Sequence, residues 1–147
     1  MHPVSSFLQD ERPAISARSV QYNEKSDRYI CHGTVKITLG NRLITADEAQ
    51  ITSDLSTIWT QGSARLIDGE NIFCSEAIYA RPLEGQAFFF GTRCKLKRPG
   101  LAIDSDSIEY RWQDKIGVFD GHVLYIDGDG EKAFVHVEYD FNKNKIA

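Results

Sequence analysis

The sequence has no apolar run approaching the ~20 residues that carry a helix across a bilayer. It has no excess of basic residues either: 17 Lys and Arg stand against 21 Asp and Glu, a net charge of −4 that gives nucleic acid no attractive field. Met1 to Asp10 lacks the basic start and apolar stretch of a secretory leader, which decides little, since a chain whose leader has been cleaved lacks it too. The three cysteines, Cys31, Cys74 and Cys94, form no Cys-x-x-Cys pair. They read as buried strand residues or as one disulfide plus a thiol, with no pairing specified. No stretch keeps helical 3.6-residue apolar spacing over three turns, and no Gly-x-Ser-x-Gly elbow marks a nucleophile.

What the sequence does have is a repeat. Gly33, Gly62, Gly91 and Gly121 follow one another at 29, 29 and 30 residues. In three of the four units the second and fourth residues after the glycine are apolar: Val35 and Ile37, Ala64 and Leu66, Val123 and Tyr125. Such alternation is strand periodicity with one buried face. Ile15, Ile44, Ile72 and Ile103 form a second column, 18, 18, 19 and 18 residues ahead of the glycines. Small or acidic residues follow each isoleucine, and then an alternating pair: Val20 and Tyr22, Ala49 and Ile51, Ala77 and Tyr79, Ile108 and Tyr110. Val137-Glu-Tyr139 starts a fifth copy. Each unit is expected to hold two or three short strands joined at Gly40, Gly69, Pro99-Gly100 and Asp127 to Gly130. Residues 1–14 are expected to be irregular, and 15–147 to form a single domain.

The third unit departs from the pattern. Arg93 and Lys95 occupy the positions that are apolar elsewhere, while Cys94 and Leu96 carry the apolar character one residue out of phase. A one-residue slip sends every side chain to the other face, so a bulge near Phe88 to Gly91 is predicted to restore the phase. The basic run from Arg93 to Arg98 then reads as a solvated edge or as a phosphate-binding row, with Arg93 and Lys95 the candidate contacts.

Other clusters have plain readings. Asp127-Gly-Asp-Gly-Glu131 lacks the ligand set of a calcium loop and reads as an acidic turn. Asp47-Glu48 and Asp104/Asp106 recur at equivalent points, whereas acid–base catalysis needs one pair in one cleft. His32, His122 and His136 have no zinc-ligand spacing, so no metal and no cofactor is expected.

"ITADEAQI" at 44–51 followed by "WTQGSARL" at 59–66 resembles the repeating motif of the LptA/OstA-like proteins, and "CSEAIY" with "FFFG" and "SDSIEY" with "VFDGHVLY" are further copies. The resemblance extends from Ile15 to Tyr139. It implies an all-β fold: a repeat-built antiparallel β-jellyroll, a partly open twisted sandwich with an apolar groove. It further implies a non-enzymatic periplasmic carrier of lipopolysaccharide whose groove takes lipid A acyl chains. Expected partners are lipopolysaccharide, the jellyroll domains of an inner-membrane LptC-like protein and an outer-membrane translocon, and further copies joined head to tail. Placed on this sequence, the groove residues are Ile15, Val35, Ile37, Ile44, Leu66, Ile72, Ile103, Val123 and Tyr125. The alternatives are a structural β-repeat scaffold with a closed core and an enzyme acting on envelope glycans, the latter disfavoured because no acidic pair is unique.

Overall fold

Period-two apolar patterning keeps this chain extended, and the glycine turns reverse it at regular intervals. The computed structural model describes residues 14–147, so the irregular segment expected over 1–14 lies outside the described residues except for Ala14, which opens the first strand. Thirteen strands follow: β1 (Ala14–Ser16), β2 (Ser19–Asn23), β3 (Arg28–Leu39), β4 (Arg42–Thr52), β5 (Ile58–Asp68), β6 (Asn71–Arg81), β7 (Gln86–Phe90), β8 (Cys94–Arg98), β9 (Leu101–Ser105), β10 (Ser107–Arg111), β11 (Ile116–Asp127), β12 (Gly130–Asp140) and β13 (Lys145–Ile146). All pair antiparallel in one sheet. A single turn of 3₁₀ helix at Pro82–Glu84 interrupts them, and no α-helix occurs among the described residues.

The strands are longer than the sequence suggests. A 29-residue unit holds two strands of 11 or 12 residues, each bent at its middle. The bends are β-bulges. Between β5 and β6, Gly62 and Ser63 stand opposite Glu76 alone; between β11 and β12, Gly121 and His122 stand opposite Val135. Gly62 (φ +89°) and Ser63 (φ +46°) are both left-handed, which turns the strand sharply. Glycine is required there for a second reason: a Cβ on Gly62 would lie 2.5 Å from the Asp47 carboxylate packed across it. Asp106 covers Gly121 in the same way, so the recurring acidic column seats the bends.

In the third unit the bend widens. Gly91, Thr92 and Arg93 stand opposite Glu76, and the strand splits into β7 and β8. The phase is restored as predicted, with Cys94 and Leu96 fully buried and Lys95 outward, but the extra residue lies after Gly91, not before it. Ile72 therefore does not belong to the inward isoleucine column. It is half-buried on the outer side, and its neighbour Phe73 takes the inward place. Phe73 lies 29 residues after Ile44 and 30 before Ile103, so the true column follows the period and not the residue type. Ala77 and Tyr79 shift with it, leaving Ile78 and Ala80 inward.

Because every long strand bends at one line, the sheet folds into two leaves. The first leaf holds β1, β8, β9 and the halves of the long strands next to the tight turns; the second holds β2, β7, β10, β13 and the other halves. The inner faces of the leaves make one core. Fully burying each large aliphatic side chain there is worth roughly 1.5–3 kcal/mol.

Candidate functional site

Cross-strand register arranges the inner face of the first leaf in rows. One runs Ile15, Ile37, Ile44, Leu66, Phe73, Leu96, Ile103, Tyr125, passing from the first strand almost to the last. Beside the bend line lies a row of smaller residues, Val35, Ala46, Ala64, Ser75, Cys94, Ser105 and Val123. The interior is thus a wedge. Side chains are small where the leaves diverge from their fold and large further out, because the gap to be filled widens. Ser75 and Ser105 donate their hydroxyls to the carbonyls of Ala77 (2.7 Å) and Ser107 (2.9 Å), satisfying backbone at the bends.

Of the expected groove residues, Val35, Ile37, Ile44, Leu66, Ile103, Val123 and Tyr125 come together on this face, 0–9% exposed. Ile15 packs half-buried at its start, and Ile72 stands on the other side. The inner row of the second leaf begins with Val20, paired to buried Cys31, yet Val20 is 48% exposed, so the wedge is less covered at its first strands.

The outer rim of the wedge is a seam that sequence reading missed. Asp68, at the tip of the first leaf, is 8% exposed. It accepts hydrogen bonds from the Tyr110 hydroxyl at 2.6 Å and the Lys115 ammonium at 3.2 Å, both from the second leaf. Burial and this carboxylate hold the Tyr110 phenol well above the ordinary tyrosine range. Two cations bridge the same rim: the Arg42 guanidinium lies 4.9 Å from the Trp112 ring centre, and that of Arg98 5.6 Å from Phe141. Partners 42 to 70 positions apart leave no local signal in a sequence.

The candidate phosphate contacts differ from each other. Arg93 donates to Asp106 at 3.0 Å and to the His122 carbonyl, tying β8 to the β11 bulge. The hydrogen bond between the His122 imidazole and Asp106, and then that from Arg93, hold the Asp106 carboxyl below its usual range. Lys95 is exposed on the outer face between Cys74 and Asp104. The histidines serve the bends as well: His32 faces Glu48 at 3.3 Å, His122 faces Asp106 at 2.7 Å, and His136 faces Asp120 at 2.5 Å. Asp127 to Gly130 forms the β11–β12 turn, where the Asp129 amide donates to Asp127 Oδ1 at 2.8 Å. All three cysteine thiols are free, and burial pushes that of Cys94 up to about 11.

A bent, repeat-built sheet folded over an apolar wedge is the β-jellyroll of lipopolysaccharide transport proteins. The family described as "LptA/(LptD N-terminal domain) LPS transport protein" matches residues 14–89, more than half of the chain, and the chain belongs to that family. Among solved structures it resembles LptH of Pseudomonas aeruginosa, described as the LptA-homologous periplasmic component of the conserved lipopolysaccharide transport device. The TM-score is 0.66 at 14% identity, over 76% of this chain and 84% of that one. A comparison with curated proteins finds no match. Among the described residues no helix is long and apolar enough to cross a membrane.

Proposed function

We propose that this protein is a non-enzymatic periplasmic carrier that shelters lipid A acyl chains between its leaves and passes lipopolysaccharide toward the outer membrane. The observation that carries this reading is the unbroken apolar inner row from Ile15 to Tyr125 in a chain of this family. Val35, Ile37, Ile44, Leu66, Ile103 and Val123 are the proposed lipid contacts together with Ile15 and Tyr125, and Phe73 replaces Ile72 among them. These side chains pack against one another, so acyl chains enter as the leaves part along the Asp68–Tyr110 seam. Lys95 is the better placed phosphate contact, since Arg93 must first release Asp106.

Assembly follows from the edges. Among the described residues β12 is bonded outward only from Glu138 to Asp140, and β1 and β2 pair only with β3. Two unlike edges favour head-to-tail joining, with another copy or with the related jellyroll domains of LptC-like and translocon partners. The full burial of the inner columns also suits a closed scaffold without a lipid ligand. A photo-reactive residue at Ile37 separates the two. The carrier crosslinks to lipopolysaccharide from Ile37 and far less from outward Lys36, with a saturable complex in native mass spectrometry. Equal crosslinking at both positions, or no complex, leaves the scaffold.

A further inference from the structure

The aromatic residues that the core does not use gather on the outer face of the second leaf. Register places Gln50, Trp59, Tyr79 and Phe88 in one cross-strand row, one residue out of phase with the buried positions. Trp59 is 42% exposed; its ring centre lies 4.4 Å from that of Tyr79, and Phe90, 37% exposed, stands edge-on at 6.3 Å. Trp59 and Phe90 wall a cleft of about 470 Å³ whose polar lining includes Arg28, His32, Glu48, Gln50, Gln61 and Glu76. Arg28 donates to the Gln50 side-chain oxygen at 3.2 Å, which orients that amide and leaves its NH₂ as a donor toward a ligand.

The chemistry of the cleft selects its occupant. Glu48 and Glu76 offset Arg28 and His32, and His32 already faces Glu48 at 3.3 Å, so the cleft offers no positive field to a polyanion such as nucleic acid. Strands β4, β5 and β6 are paired on both sides here, so no sheet edge is free to capture a peptide backbone. Exposed rings beside planar amides and carboxylates suit a ligand with a flat apolar C–H face rimmed by hydroxyls, which is a pyranose. We propose that this face is a glycan-binding platform, with a sugar ring stacked on Trp59 and its hydroxyls held by Glu48, Gln50 and Gln61. The platform is separate from the apolar wedge. It rests on the carrier reading only for one of its two glycan sources, the saccharide of the cargo lipopolysaccharide, the other being cell-wall glycan.

Trp59 supplies the test. The chain has two tryptophans, and in a Trp112→Phe protein the emission comes from Trp59 alone. That protein is titrated with deacylated lipopolysaccharide oligosaccharide, with peptide-free cell-wall glycan chains, and with an unrelated soluble peptide. A saturable change with either glycan is expected, the responding glycan naming the source. In calorimetry with the otherwise native chain, Trp59→Ala should weaken that binding about tenfold or more, and Gln50→Ala less. No response to any glycan, a response to the peptide alone, or undiminished binding by Trp59→Ala overturns the proposal. Lipopolysaccharide crosslinking at Ile37 in the Trp59→Ala protein reads the carrier function separately, so either idea can fail while the other stands.

Discussion

The two halves of the interior share one backbone plan and fill it differently. From β1 to β5 the inner face is aliphatic and small, with Ile37, Ile44, Ile51, Ile58 and Leu66 as its large members. From β6 onward rings join aliphatics such as Ile78, Leu96 and Ile103: Phe73 stacks on Phe89 at 5.0 Å and meets Tyr110 at 4.6 Å, and Tyr139 and Phe141 close the end at 5.0 Å from each other. The bridging contacts of the seam, at Tyr110, Trp112, Lys115 and Phe141, also come from this later half. Interlocked rings have few alternative packings, whereas a face of branched aliphatics can exchange its contacts for acyl chains of similar cohesion. Under the carrier proposal, the aromatic half supplies more of the stiffness, and the contacts from Ile15 to Leu66 give way to lipid more readily than those at Phe73, Ile103, Val123 and Tyr125.

The strongest test of that division is Phe73→Ala, which removes the ring at the centre of the aromatic cluster and should cost about 3–5 kcal/mol in urea unfolding. Ile37→Val in the aliphatic half should cost about 0.5–1.5 kcal/mol. Equal losses from Phe73→Ala and from Ile37→Ala, at matched depth, would erase the difference between the halves. Next comes the seam. Asp68→Ala strands the buried Tyr110 hydroxyl and should cost about 1–3 kcal/mol, while raising lipid crosslinking at Ile37. Asp68→Asn keeps an acceptor and should lose less, so a crosslinking gain as large as that of Asp68→Ala would separate seam opening from the lost bond.

The bends sharpen the comparison by being alike in both halves. Gly62→Ala and Gly121→Ala each force a side chain onto a carboxylate at a left-handed position, and each should cost about 1–2 kcal/mol. A large inequality would mean that the fold line itself differs between halves. The smallest effect is a pH dependence at the last long strand. Hydrogen bonds to Asp120 and then Glu138 raise the His136 pKa above 6.5, so its protonated form favours the folded state. That stabilisation is full below the unfolded value and is lost as pH rises through the raised one. Imidazole NMR titration should show the upward shift, and Asp120→Asn should diminish it.

Much of this was legible in the sequence because it is local or periodic. The 29-residue spacing of the glycines marks the repeat, the recurrence of Asp47 and Asp106 marks a structural position, and the alternation around Val35, Leu66 and Val123 marks the buried face; that the acids cover the glycines of the bends shows only in the structure. The outward turn of Lys95 was legible too, since Cys94 and Leu96 could not be buried otherwise. Ile72 misled because Ile72 and Phe73 are adjacent and both apolar, so neither composition nor alternation selects between them; register against Leu66 and Leu96 does. The strand lengths, the wedge and the seam belong to tertiary structure alone. A bulge bends a strand without ending it, so sequence reads two strands where there is one. How far the leaves close depends on contacts such as Asp68 with Tyr110 and Arg42 with Trp112. Their energies exist only once the sheet has folded over and brought distant turns together.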